Sequence, residues 1–257
     1  MLYAEGFFPK ERPQKSVARA LTYATVMRGI GPATFFRGDH VVLGGEGGDI
    51  DFLRGLGVHP SNILVAETQG RVLRRLLPKK DQCRLIGGDV RDLLRRHRRP
   101  LASVNLDLCG TLCLANLVVV VEALRLLRRG TSFAVTFSAS RENCEYTKPI
   151  IHNERLRLEQ NRFVEADFVN PFSRANAAET ILYSKAGARR LRAVAYKGVG
   201  PSTNGNIIVR SMATLIGRIG VCDFVRHPFI TVSESSRDII QQELKYLERN
   251  INQGGTS

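Results

Sequence analysis

Residues 41–137 constrain this chain more than any other feature, because five short apolar runs there alternate with stretches of helical periodicity. Val41–Gly44, Ile63–Glu67, Cys83–Ile86, Ser103–Asp107 and Ser132–Phe137 read as strands. Asp49–Leu56, Gln69–Leu77, Val90–His97 and Leu112–Arg128 read as the helices between them. Such alternation builds βαβ units and hence a parallel sheet. A run as apolar as Val41-Val42-Leu43 fits a strand buried on both faces, so helices are expected on each side. Right-handed crossovers then bring the loop after every strand to one sheet edge, the edge at which ligands bind.

The flanks are less regular. Upstream, Gln14–Arg28 places Val17, Leu21, Ala24 and Met27 at helical spacing. Downstream, Arg141–Phe163 and Asn176–Ala186 read as helical, followed by strands at Leu191–Tyr196 and Asn206–Thr214. The connection Lys197–Gly205 is rich in turn residues and predicts a hairpin. A last helix, Ser236–Asn250, precedes a Gln-Gly-Gly tail expected to be disordered. The expected organisation is a helical extension over 1–38, an α/β domain over 39–218 whose segment 139–172 overhangs the pocket, and a C-terminal helix and tail over 219–257.

Four loops at the ligand edge carry suggestive residues. The first is Gly44-Gly45-Glu46-Gly47-Gly48-Asp49, where missing side chains let backbone approach a ligand. The second strand ends on Glu67, the third leads into Gly87-Gly88-Asp89-Val90 with Leu93 beyond, and the fourth into Asn105-Leu106-Asp107-Leu108-Cys109-Gly110. This series, with the terminal hairpin, resembles the class I S-adenosylmethionine (SAM)-dependent methyltransferases between about residues 39 and 215. The resemblance implies a Rossmann-like, doubly wound, mostly parallel seven-stranded sheet with a C-terminal antiparallel hairpin and helices on both faces. It implies SAM as cofactor, held by Gly44, Gly45, Glu46 and Gly47. Glu67 would accept both ribose hydroxyls, Asp89 the adenine amino group, and Val90 would pack on the ring. The family's acid before the glycine run is replaced by Val42. Asp49 and Asp89 equally suit helix N-caps.

On the reaction side, the resemblance leaves Asp107 and Cys109 as candidates. Asp107 suits three roles: binding the methionine amino group, orienting a substrate, or capping the next helix. Cys109 loosely matches the nucleophile loop of pyrimidine-C5 methyltransferases, although that motif's prolines are missing, and a buried structural thiol competes with this reading. The fourth-strand loop lacks the proline-aromatic tetrapeptide of amino-methylating nucleic-acid enzymes. The fifth strand lacks the lysine of the ribose 2′-O-methyltransferase tetrad.

The net charge of +14 and the pI near 10.1 predict a polyanionic partner, RNA or DNA. Arg95-Arg96-His97-Arg98-Arg99 and Arg125/Arg128/Arg129 fall at helix C-termini, where cations complement the helix dipole, on the edge opposite the pocket. Two further clusters, Arg71/Arg74/Arg75 and Arg189-Arg190, complete the set. Cys83, Cys109, Cys113, Cys144 and Cys222 contain no paired CxxC, so no zinc site is expected. No apolar run reaches the ~18–20 residues of a membrane span and no signal peptide is read, which points to the cytoplasm. The expected activity is methylation of nucleic acid. Alternatives are a non-catalytic nucleic-acid-binding protein on the same fold and a methyltransferase of a small molecule or protein.

Overall fold

The structure, a computed structural model, describes residues 13–108, 114–138, 188–197, 207–215, 229–231 and 237–254. In chain order the elements are α1 (Pro13–Ile30), α2 (Pro32–Arg37), β1 (Asp39–Leu43), α3 (Gly48–Gly55), β2 (Ile63–Glu67), α4 (Gly70–Leu76), β3 (Arg84–Gly87) and α5 (Val90–Arg96). They continue with β4 (Leu101–Asp107), α6 (Leu114–Leu126), β5 (Ser132–Ser138), β6 (Ala188–Lys197), β7 (Ile207–Leu215), β8 (Phe229–Thr231) and α7 (Arg237–Gly254).

Among the described residues, eight strands form one sheet in the order β3-β2-β1-β4-β5-β7-β6-β8. Strands β1 to β5 are mutually parallel; β7 runs antiparallel to both β5 and β6, and β8 runs parallel to β6. The described residues hold eight strands, where seven were expected. The additional one is three residues long, too short to show a period, and it pairs with an edge of β6 that would otherwise carry free backbone groups. From β1 the chain moves outward through β2 and β3, then returns to place β4 on the other side of β1. That reversal opens a crevice beyond the C-terminal ends of β1 and β4.

Two helical layers cover the parallel strands, and the alternation of the strands assigns residues to each. Val42, Ile63, Val65 and Ala134 pack with α1, α3, α4 and α7, while Val41, Leu64, Ala66, Val104, Leu106, Phe133 and Val135 pack with α5 and α6. Helix α1 lies against β5, β6, β7 and α7. Every residue from Ser16 to Met27 is buried, so this helix is enclosed on all sides. Its threonine hydroxyls turn back to their own turns, Thr22 donating to the Ala18 carbonyl at 2.7 Å and Thr25 to Leu21 at 2.8 Å.

Two details depart from expectation. Gly31, at φ +81°, ends α1, and Pro32 starts α2, a six-residue helix that the pattern did not predict. Helix α7 runs on to Gly254, past the predicted end at Asn250, because nothing between Asn250 and Gln253 breaks it; only the last three residues of the tail lie outside the described residues. The helices expected over Arg141–Phe163 and Asn176–Ala186, and the 198–206 connection, also lie outside them.

Candidate ligand site at the C-terminal edge of the sheet

The loop after β1 is shaped by glycine. Gly45 and Gly47 take φ +46° and +77°, and Gly47 donates its N–H to the Gly44 carbonyl at 2.9 Å, closing a tight turn onto α3. Gly44 has a different reason. A Cβ there would lie 2.8 Å from Glu67 Oε2 and 2.9 Å from Leu76 Cδ1, so the Glu67 carboxylate is pressed against bare backbone. Its other oxygen, Oε1, accepts the Gln69 N–H at 2.8 Å, which orients the side chain at the end of β2. Glu46 is exposed at the tip of the turn. Gly44, Gly45, Gly47 and Glu67 are thus brought together.

Asp89 is the N-cap of α5, accepting the Arg91 N–H at 2.8 Å. Arg91 also grips both carboxylate oxygens, Nε at 2.9 Å and an Nη at 2.7 Å, and reaches Glu122 at 2.8 Å with the other Nη. Hydrogen bonding from Arg91 holds the Asp89 carboxyl below its ordinary range. An adenine amino group would share Asp89 with this guanidinium. Val90, 5% exposed, packs its side chain into the α5–α6 core.

The residues missed in the sequence come from α1 and meet a polar line on β4. Lys15, Arg19 and Tyr23 recur at a spacing of four and share one helix face. Lys15 Nζ lies 3.0 Å from Asp107 Oδ2 at the end of β4. Arg19 Nε and Tyr23 Oη donate to Asp49 Oδ1 at 3.0 and 3.1 Å, and Asn105 Nδ2 joins them at 3.1 Å. Asp49 therefore does not cap α3, whose N-cap is Gly47; it is a buried carboxylate ringed by donors. The Arg19 guanidinium also covers the loop, since a Cβ on Gly48 would fall 2.7 Å from it. Among the described residues, Asn105 Oδ1 is buried without a hydrogen-bond donor.

Lower on the same face, His40 is wholly enclosed. Nε2 donates to the Phe35 carbonyl at 2.7 Å, which leaves Nδ1 to accept from Ser103 Oγ at 2.8 Å. Burial lowers its pKa to about 4, so the ring is neutral.

Cys109 lies outside the described residues, as do Cys113, Cys144 and Cys222. Cys83 is a buried free thiol, pushed up by burial, and it stands just before the N-terminal end of β3, opposite the edge loops. Among the described residues no group of three His, Cys, Asp or Glu side chains could hold a metal, and no helix is long and apolar enough to cross a membrane.

No family model matches the sequence, and no curated protein does. Solved structures align with the chain at low identity. A SAM-dependent methyltransferase from Clostridium acetobutylicum aligns at 10% identity over 78% of this chain and 92% of that one, with a TM-score of 0.47. An O-methyltransferase from Bacillus cereus in complex with S-adenosylhomocysteine (SAH) aligns at 15% identity over 81% and 86%, TM-score 0.43. Fibrillarin from Aeropyrum pernix with natively bound SAM aligns at 16% identity over 75% and 76%, TM-score 0.43. With its five-stranded parallel sheet, flanking helices and glycine loop beside the carboxylate that ends β2, the chain resembles the class I SAM-dependent methyltransferases in fold.

Proposed function

We propose that the protein is a SAM-dependent methyltransferase acting on nucleic acid. The observation that carries the cofactor half is the seating of the Glu67 carboxylate against Gly44, at the point where strand order reverses. A carboxylate held there accepts two vicinal hydroxyls of a ribose, and the Gly44–Gly47 turn leaves backbone bare for the rest of the nucleoside. The unpartnered, buried Asn105 Oδ1 suits an ammonium group, because a buried acceptor gains from a charged donor. SAM would supply an electrophilic methyl group on its sulfonium. What the chain adds is position. Lys15 fixes Asp107 at the end of β4, and Arg19 covers the glycine loop.

The nucleic-acid half rests on the net charge of +14. A second reading, a methyltransferase fold kept for nucleic-acid binding without turnover, draws on Val42. This residue is 1% exposed in the core and presents no acid to the glycine loop.

Calorimetric titration with SAM and SAH tests the first half, followed by transfer of radiolabelled methyl to RNA, DNA and protein. Micromolar binding is expected, with Glu67→Ala weakening it about a hundredfold, as loss of hydrogen bonds to a charged group worth about 3 kcal/mol requires. Undiminished affinity in Glu67→Ala removes the pocket assignment. Methylated RNA or DNA would exclude the binding-only reading, and methyl incorporation into protein alone would replace the substrate.

A further inference from the structure

The edge of the sheet opposite the crevice is built from strand N-termini and helix C-termini, and its turns are crowded with arginine. Arg84 opens β3; Arg96 ends α5, and Arg98 and Arg99 lie between α5 and β4; Arg128 and Arg129 lie between α6 and β5. All six are exposed. Three of them, Arg84, Arg99 and Arg128, stand near the buried Asp39 carboxylate or the part-buried His97 beside it. His97 Nε2 lies 3.1 Å and an Arg99 Nη 3.4 Å from the Asp39 carboxylate, at angles outside ordinary hydrogen-bond geometry. Arg84, Arg99 and Arg128 all act electrostatically on His97.

Dipole compensation accounts for little of this. Each helix C-terminus carries about half a negative charge, so the ends of α5 and α6 are matched by about one cation. Asp39 and the exposed Asp81 are the carboxylates in these turns. About three positive charges are left over by that reckoning. Every cation in the α5–β4 and α6–β5 turns is arginine, none lysine. A merely solvated face has no use for that choice, whereas a planar guanidinium matches phosphate oxygens two at a time.

We infer that this edge is a docking surface for the phosphate backbone of nucleic acid, separate from the crevice. The inference rests on the nucleic-acid reading above. Strands of four to seven residues at about 3.3 Å each set the two edges roughly 15–20 Å apart, so nucleic acid held here is tethered beside the reaction site and not inside it.

The test measures fluorescence anisotropy of labelled RNA and DNA oligonucleotides across a salt series, with wild type and the Arg98→Glu/Arg128→Glu protein. A neutralising Arg96→Gln/Arg98→Gln/Arg128→Gln protein guards against misfolding, and SAM titration and melting temperature report the fold of each. The double variant should bind about tenfold or more weakly near 0.1 M salt, with a salt slope lower by about two, while SAM affinity stays unchanged. Tight wild-type binding that survives in both variants overturns the docking edge alone. Failure of wild type to bind either nucleic acid overturns the substrate reading as well. Preferential binding to phosphatidylserine vesicles, lost in the same variants, would assign the edge to membranes and overturn the inference.

Discussion

His40 shows how a polar side chain is made part of a core. Its ring stands edge-on to Phe35 at 4.6 Å between centroids, and both nitrogens are spoken for, one by a carbonyl and one by a hydroxyl. Protonation would turn Nδ1 into a donor facing Ser103 and strand a charge in apolar surroundings, hence the lowered pKa of about 4. The sign of the linkage follows. Above pH ~6.5 both folded and unfolded chains hold a neutral ring, and the group has no effect. Between about 6.5 and 4 only the unfolded chain takes up the proton, so stability falls with pH, by up to about 3 kcal/mol. Urea unfolding from pH 7 to 4 should show this loss, and His40→Gln should lack it. Superimposable pH profiles for the two proteins would disprove it. Glu67 is a different case, held by Gln69 and pressed against Gly44, with its position set by backbone and not by a buried charge.

Helix α1 and strand β4 are matched as a pair. The β4 sequence Leu101-Ala-Ser-Val-Asn-Leu-Asp107 alternates, sending Val104 and Leu106 to the α5–α6 layer and Ser103, Asn105 and Asp107 toward α1. In a sheet covered on both faces that polar side must find partners, and Lys15, Arg19 and Tyr23 of α1 meet it or the Asp49 carboxylate beside it. Removing one member leaves a charge behind. Arg19→Met should cost about 3–5 kcal/mol by stranding Asp49, and Arg19→Met/Asp49→Leu should recover much of it. Chemical denaturation of the single and double variants checks this; additive losses would mean that the two do not act as a pair. The alternation within β4 is a local property of its sequence, and it lays a polar line inside the protein. The partner of that line is not local, because helix periodicity shows which residues share a face and leaves open what that face meets.

Across the whole molecule, residues far apart in sequence close the α1 layer. Arg28 pairs with Glu243 at 3.2 Å and lies over the Tyr246 ring at 3.9 Å, while Ile240, Leu244 and Leu247 of α7 join the core that α1 occupies. Those three side chains together bury apolar surface worth about 5–9 kcal/mol at ordinary transfer values. A chain ending before Arg237 should therefore lose most or all of its cooperative melting transition, measured by circular dichroism. A transition unchanged in midpoint would show α7 to be dispensable.

Read alone, the sequence determined the alternation of β1 to β5 with their helices and the edge on which the loops gather. It also determined which glycines and carboxylates stand there, because these follow from local periodicity and from the fixed hand of βαβ crossovers. Tertiary structure decided the rest. It drew Lys15 to Asp107 and Arg19 to Asp49, joined Arg91 of α5 to Glu122 of α6, and brought Arg84, Arg99 and Arg128 near Asp39 and His97. Each of these depends on which elements pack together and which charges that packing sets side by side, and not on the order of residues within any one of them.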